Sequence, residues 1–111
     1  MNNWVKEFGA AITLCRKDGT ITEMNDKAVK TFEKDGGLGL IGTNLLDCHP
    51  EPSKTQVKGM LENPAVNAYT IEKNGVKKLI YQAPYFEDGE YIGYVELSME
   101  IPFDMAHFVR S

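Results

Sequence analysis

The 111-residue chain is poor in the residues and segments that mark several protein classes. It contains two cysteines, two histidines and one tryptophan. No apolar run approaches the ~20 residues that a membrane-spanning helix needs, and residues 1–7 lack the basic start and apolar centre of a signal peptide. The two thiols and two imidazoles are too scattered for a zinc site. We therefore expect Cys15 and Cys48 to be free thiols of a cytoplasmic protein with no membrane partner.

The charge balance excludes another group of partners. Twelve Lys and Arg residues stand against sixteen Asp and Glu residues, a net charge of −4. Nucleic acids and anionic membranes are bound by basic stripes, which this chain lacks. Its length suits one domain with one hydrophobic core. Composition therefore indicates a small acidic globular protein that does not bind nucleic acid.

Turn residues divide the chain into a helix, two strands, several short helices and three strands. Asp18-Gly19, Asn74-Gly75 and Asp88-Gly89 are strong reversal signals, because their backbones tolerate positive φ. Asn25 stands where a helix needs a side-chain acceptor for its first N–H groups. The predicted parts are an amphipathic N-terminal helix (1–8), the main domain (9–102) and a C-terminal tail (103–111) with the apolar spacing of a starting linker helix.

Alternation along the last strands predicts which side chains face the core. In the final strand, Val95 and Leu97 lie on the more apolar face, which we assign to the core, whereas Tyr94, Glu96 and Ser98 are assigned to the outside. The preceding strand allows two registers. Hydrophobicity favours Leu79, Tyr81 and Ala83 inward, and the opposite register turns Lys78, Ile80 and Gln82 inward.

Five short segments, in this order and spacing, resemble a PAS domain over residues 9–101. The resemblance implies an α+β, profilin-like PAS fold, in which a five-stranded antiparallel sheet carries short helices on one face around a pocket. It also implies a sensory or dimerisation module rather than an enzyme. Leu45 stands where the photoreceptor branch has its reactive cysteine, so a flavin adduct is not expected. The segments are 18–21, Met24-Asn25, 40–46, 72–75 and 84–93.

The resemblance and the apolar pattern together predict a ligand pocket. The PAS register would place Gln82 and Ile80 inward, with Thr70 on the strand before them. A buried amide at Gln82 needs a partner, which would be either a ligand or another core group. The predicted pocket residues are Phe32, Leu40, Leu45, His49, Val57, Leu61, Thr70, Ile80, Gln82, Val95 and Leu97.

His49 allows three interpretations. It could ligate haem iron, because imidazole is a common axial ligand and some PAS domains bind haem near this helix. It could instead bond a loop carbonyl ahead of the following helix. A third hypothesis makes it the base of a small α+β enzyme with a cone-shaped pocket, which requires a shifted pKa. The cofactor is left open, with haem as one alternative.

A second surface is predicted to join two copies of the chain. Trp4, Val5 and Phe8 form one side of the N-terminal helix, and a short helix of this kind needs a partner surface. In the PAS register, Leu79 and Tyr81 point outward and add an apolar patch. We therefore expect a homodimer that binds a small molecule and regulates a downstream signalling domain or partner protein.

Overall fold

Five antiparallel strands form a single sheet in the computed structural model, which describes residues 3–111 apart from the Cys48 side chain. The spatial order is β2-β1-β5-β4-β3, so the first and last strands of the chain are neighbours at the centre. The predicted α+β class and the five-stranded sheet are confirmed. The strands are β1 (Ala11–Arg16), β2 (Ile21–Met24), β3 (Asn67–Lys73), β4 (Val76–Glu87) and β5 (Glu90–Ile101).

The helices are short and fall mainly between β2 and β3. They are α1 (Asn3–Lys6), α2 (Asp26–Thr31), α3 (Leu45–Cys48) and α4 (Ser53–Glu62), with 3-10 turns at Glu33–Asp35 and Gly37–Leu40. None of the helices in the described chain is long and apolar enough to cross a membrane. Residues 1 and 2 of the predicted helix (1–8) lie outside the described residues, and α1 ends two residues before Phe8.

The two late hairpins have the turn geometry that their sequences predict. Asn74 and Gly75 have φ values of 54° and 76°, and Asp88 and Gly89 have values of 51° and 79°. Positive φ at both central residues matches the right-handed twist of the flanking strands. The turn chemistry therefore fixes the pairing of β3 with β4 and of β4 with β5.

The core lies between the helices and one face of the sheet, in two clusters. One contains Ala11, Ile21, Met24 and Ala28, with Val29, Phe32, Leu40 and Leu45 packed against it. The other contains Cys15, Leu61 and Tyr94, with Val57, Met60 and Tyr91 alongside. Burial of these apolar side chains stabilises the fold, at roughly 25 cal/mol per Å² of apolar surface removed from water.

The assignment of faces in β5 was wrong. Tyr94 and Ser98 are 4% and 7% exposed and lie on the helix side, which is also the side of Glu96. Val95 and Leu97 pair with Leu14 and Ile12 of β1 on the opposite face. Both faces of β5 carry large side chains, so hydrophobicity did not distinguish them.

The neighbouring strands β4 and β3 pair so that their helix-side faces continue that of β5. Ile80 is buried and Gln82 faces the helices, as the PAS register predicts. The inward assignment of Thr70 was wrong, because Thr70 pairs with Leu79 on the outer face and is exposed. Its neighbour Tyr69 pairs with Ile80 and shares the helix-side face.

The tail at 103–111 does not form the predicted helix. These residues are exposed and irregular after Pro102. One contact joins them to the sheet, in which Lys77 Nζ donates to the Phe103 carbonyl at 3.5 Å. A single turn of apolar spacing without a surface to pack on does not stabilise a helix of this length.

Candidate functional site

A cavity of about 530 Å³ lies between the sheet and the helices. Its volume falls within the range of small-molecule sites in proteins, about 300–1,000 Å³. Residues from β1, β2, β4, β5 and all the helical segments between Met24 and Glu62 contribute to its wall. They are Thr13, Cys15, Ile21, Met24, Phe32, Asp35, Leu40, Leu45, His49, Met60, Gln82, Tyr94, Val95 and Glu96.

The helical wall of the cavity is mostly apolar. Phe32, Leu40 and Leu45 pack against the core cluster at the start of the sheet, while Met60 packs against Cys15 and Tyr94. The Leu45 turn is fixed because Asn44 Oδ1 accepts from Leu46 N at 2.9 Å. This wall can enclose an apolar group without leaving polar atoms unpaired.

A row of polar side chains, which we call the polar row, crosses the helix-side face of the sheet: Thr13, Glu96, Gln82 and Asn67. The first three line the cavity. Thr13 pairs with Glu96 across β1 and β5, Glu96 with Gln82 across β5 and β4, and Gln82 with Asn67 across β4 and β3. Paired residues of antiparallel strands share one face, so all four point to the helix side.

Hydrogen bonds run along the polar row in one direction. Asn67 Nδ2 donates to Gln82 Oε1 at 3.0 Å, and Gln82 Nε2 donates to Glu96 Oε2 at 2.8 Å. The amide of Gln82 is thus oriented by its two neighbours. This chain of hydrogen bonds ends on the half-buried carboxylate of Glu96 at the cavity.

Two tyrosines of β5 hold the C-terminal end of α4 over the cavity. Tyr94 Oη accepts from Ala65 N at 2.8 Å and lies 2.9 Å from the Met60 carbonyl. Tyr91 Oη donates to the Leu61 carbonyl at 3.0 Å, and the two rings meet edge to face at 6.0 Å. Burial raises the pKa of Tyr91 to about 12, so its hydroxyl keeps its proton at neutral pH.

His49 is half-buried at the cavity and is held by its own helix. Its Nδ1 lies 2.6 Å from the Leu45 carbonyl. A carbonyl only accepts, so Nδ1 carries the proton and Nε2 of the neutral ring is an acceptor. A backbone carbonyl is also the partner in the second interpretation, but here it belongs to the first residue of α3 and not to a loop.

Cys15 places a buried thiol in the sheet wall. Burial raises the pKa of Cys15, a backbone hydrogen bond with Tyr94 lowers it in part, and the charges of Asp18 and Glu96 raise it further. The thiolate is the reactive form, so this thiol is a poor nucleophile at neutral pH. The side chain of Cys48, the other predicted thiol, lies outside the described atoms.

The structure brings together part of the predicted pocket. Val95 borders the cavity from the strand, although its side-chain partner Leu14 lies on the opposite face. Val57 and Leu61 lie in the core beneath the cavity, Ile80 is buried beside it, and Thr70 and Leu97 lie on the outer face. The predicted residues that border the cavity are Phe32, Leu40, Leu45, His49, Gln82 and Val95.

Sequence reasoning missed three polar side chains that line the cavity: Glu96, Thr13 and Asp35. Glu96 was assigned to solvent because alternation places it on the less apolar face of β5. Thr13 and Gln82 are its cross-strand partners, so the correct register would have revealed the row. No group of three His, Cys, Asp or Glu side chains in the described chain is arranged to hold a metal ion.

The outer face of the sheet carries an apolar patch, which we call the outer patch: Leu14, Val95, Leu97, Leu79 and Tyr81. All are half-buried except Tyr81, which is 38% exposed. On α1, Trp4 and Phe8 are 67% and 48% exposed and their rings meet edge to face at 5.9 Å. Val5 is half-buried.

No protein-family model and no curated protein matches the chain. Solved structures do match it. The C-terminal domain of a Streptococcus mutans protein has a TM-score of 0.71 at 20% identity, over 86% of this chain and 78% of that one. The Aer2 receptor of Vibrio cholerae, described as a dual PAS-heme oxygen sensor, has a TM-score of 0.60 at 17% identity, over 84% and 95%.

The PAS domain of BvgS from Bordetella pertussis is a third such structure. Its TM-score is 0.62 at 16% identity, over 88% of this chain and 81% of that one. The predicted resemblance is therefore confirmed at the level of architecture: the chain has the PAS fold.

Proposed function

We propose that the chain is a sensory or regulatory PAS module that binds a small molecule in the cavity, forms a homodimer and controls a downstream signalling domain or partner protein. The fold is that of sensor domains from signalling proteins. The observation that carries the proposal is the cavity itself, whose apolar helical wall faces a polar sheet wall. Binding sites for small molecules commonly combine such surfaces.

Native mass spectrometry of freshly purified protein tests ligand binding. We expect a mass excess that corresponds to a bound small molecule. Thr13→Phe fills the cavity from the sheet wall and should remove this excess. Thr70→Phe is the matched control, because the same change on the exposed outer face leaves the cavity intact. An unliganded spectrum, together with no thermal shift from a small-molecule library, would contradict ligand binding.

The outer patch and α1 support dimerisation. Large apolar and aromatic side chains that remain exposed together mark protein–protein surfaces. Trp4 and Phe8 add aromatic surface, which contributes much contact area for little loss of side-chain entropy. A second copy of the chain would cover both features in an isologous interface.

Sedimentation of two arginine variants tests the dimer. Tyr81→Arg places a charge in the outer patch and should shift the chain toward a monomer. Tyr69→Arg is the matched control, because Tyr69 is also exposed but lies on the helix-side face of the adjacent strand. A wild-type chain that sediments as a monomer at every concentration would contradict the dimer.

Haem fits the residues of the cavity only in part. His49 offers a free Nε2 with Nδ1 bonded to a carbonyl, as in many metal-binding histidines. Haem also carries two carboxylates, whereas the described cavity residues include Asp35 and Glu96 and no lysine or arginine. This charge arrangement disfavours haem as the ligand.

After reconstitution with haemin, we expect the same Soret spectrum for wild type and His49→Ala. A spectrum that depends on His49 would favour the haem alternative.

The arrangement gives little support to the enzyme hypothesis. Burial keeps the Cys15 thiol protonated, and His49 uses Nδ1 to bond its own helix. Among the described residues of the cavity, these two groups form no hydrogen-bonded nucleophile–base pair of the kind that activates a cysteine nucleophile. We therefore propose a binding module and not a catalyst.

A further inference from the structure

The charged side chains among the described residues of the cavity lining are both carboxylates. Glu96 lies in the sheet wall, and Asp35 belongs to the 3-10 turn on the opposite side. His49 adds Nε2, since its Nδ1 proton is bonded to the Leu45 carbonyl. The cavity thus presents two carboxylates and an imidazole nitrogen to whatever fills it.

One donor of the sheet wall already reaches Glu96. Gln82 donates to Glu96 at 2.8 Å, and its carbonyl oxygen is occupied by Asn67. A carboxylate has about four lone-pair sites, so one amide donor leaves Glu96 with unused acceptor capacity. No lysine or arginine is among the described residues that line the cavity. The negative charge of Glu96 is therefore not neutralised there by a protein cation.

Aromatic and apolar side chains surround this charge. Phe32, Leu40 and Met60 form the opposite wall. Tyr69 shares the helix-side face, and the charge of Glu96 contributes, after burial, to raising the pKa of that tyrosine. An ammonium group next to a carboxylate is also attracted to the faces of aromatic rings.

We propose that the ligand of the cavity is a protonated amine with an apolar or aromatic body. The ammonium group would donate to Glu96 in the polar row, and the body would lie against Phe32, Leu40 and Leu45. This inference rests on the proposed function, since it names the chemical class of the ligand at the same site. An anionic ligand would meet the carboxylates of Glu96 and Asp35 without a basic side chain to offset them.

Three probes with the same body and end groups of different charge test the inference. Phenethylamine, phenethyl alcohol and hydrocinnamate share a phenylethyl body and end in an ammonium, a hydroxyl and a carboxylate. Titration calorimetry on the wild-type chain at neutral pH should show the amine binding roughly tenfold or more tightly than either other probe, because its bond to Glu96 is charge-assisted. Equal or tighter binding of the alcohol or the carboxylate would overturn the inference.

Two variants connect the preference to Glu96. Glu96→Gln removes the charge but keeps an acceptor for Gln82, so the amine should bind roughly tenfold more weakly while the alcohol is unaffected. Glu100→Gln is the matched control, because Glu100 is exposed on the same strand and does not border the cavity. Unchanged amine affinity in a folded Glu96→Gln chain would overturn the role of Glu96.

The outcomes separate this inference from the proposed function. Preference for hydrocinnamate or the alcohol would refute the amine while the cavity remained a ligand site. If none of the three probes binds, the amine is likewise refuted, and the native mass spectrum of the purified protein decides whether the cavity binds any small molecule. Because the probes are compared on the wild-type chain, the test stands even if a variant does not fold.

Discussion

The side chain of Asn25 is bonded to α1, with its Nδ2 donating to the Val5 carbonyl at 3.0 Å. The same nitrogen donates to the Ala10 carbonyl at 2.8 Å. Oδ1 accepts from Ile12 N at 2.9 Å and from Ala28 N at 3.0 Å. All four hydrogen-bonding positions of this fully buried amide are therefore used. One side chain joins α1, the start of β1 and the start of α2.

Asn25→Ala should reduce the free energy of unfolding by about 3–5 kcal/mol, because it leaves several buried backbone groups without a partner. Asn67→Ala is the matched control. Asn67 is exposed and makes one side-chain bond to Gln82, so its loss should be below about 1 kcal/mol. Urea denaturation of both variants measures the difference, and equal losses would show that the Asn25 bonds are not the source of its effect.

Gly93→Ala should destabilise the sheet at its centre. A Cβ at this position would lie 2.0 Å from the Cys15 carbonyl oxygen and 3.0 Å from its carbon. These are backbone atoms of a paired strand, so the clash can be relieved only by moving β1. We expect a loss of about 3 kcal/mol in thermal or urea unfolding.

Gly59→Ala is the control for the glycine substitution. Gly59 lies in α4, and a Cβ there would meet nothing within 4 Å. Alanine should stabilise the helix by up to about 1 kcal/mol. The two Gly→Ala changes are thus expected to have opposite signs, and destabilisation by both would contradict this account of Gly93.

Alkaline pH should destabilise the fold through Tyr91. Its pKa is raised from 10.0 to about 12 by burial, so between these values the unfolded chain has lost a proton that the folded chain keeps. The stabilisation is complete below pH 10 and is lost as the pH rises toward 12. Tyr91→Phe should flatten the dependence of unfolding free energy on pH in this window. Parallel curves for wild type and variant would contradict the role of Tyr91.

The buried thiol of Cys15 should react slowly. In a Cys48→Ser chain, we expect Ellman's reagent to modify Cys15 roughly tenfold or more slowly in the native state than in denaturant, since the side chain is 4% exposed and its pKa is raised. Absorbance of the released thiolate follows the reaction. A native rate equal to the denatured rate would place Cys15 on an accessible surface.

The fold was predictable from local signals. Asn74-Gly75 and Asp88-Gly89 define hairpins through the conformations of two residues each. Asn25 marks the start of α2 through its side-chain bond to Ala28 N. Such signals depend on neighbours in the chain, so the order of elements follows from the sequence without any knowledge of tertiary contacts.

The site was less predictable, because it depends on register between strands. Glu96 lies beside Thr13 and Gln82 only once β1, β5 and β4 are aligned. One face of β5 carries Val95 and Leu97, and the other carries Tyr94, so composition alone chose the wrong face. The helix predicted at 103–111 also depended on tertiary contacts. Its side chains have the apolar spacing of a helix, but they are exposed and pack on no surface of the described chain.

The pairing of β1 with β5 constrains how the cavity is made during synthesis and folding. Ile12 pairs with Leu97, so adjacent strands of the sheet wall are contributed by opposite ends of the sequence. A nascent chain that stops before residue 90 has the β1–β2 and β3–β4 hairpins but nothing to join them, and both keep unpaired edges. Contacts of such long sequence separation also slow folding. The cavity is therefore complete only once the whole domain has left the ribosome.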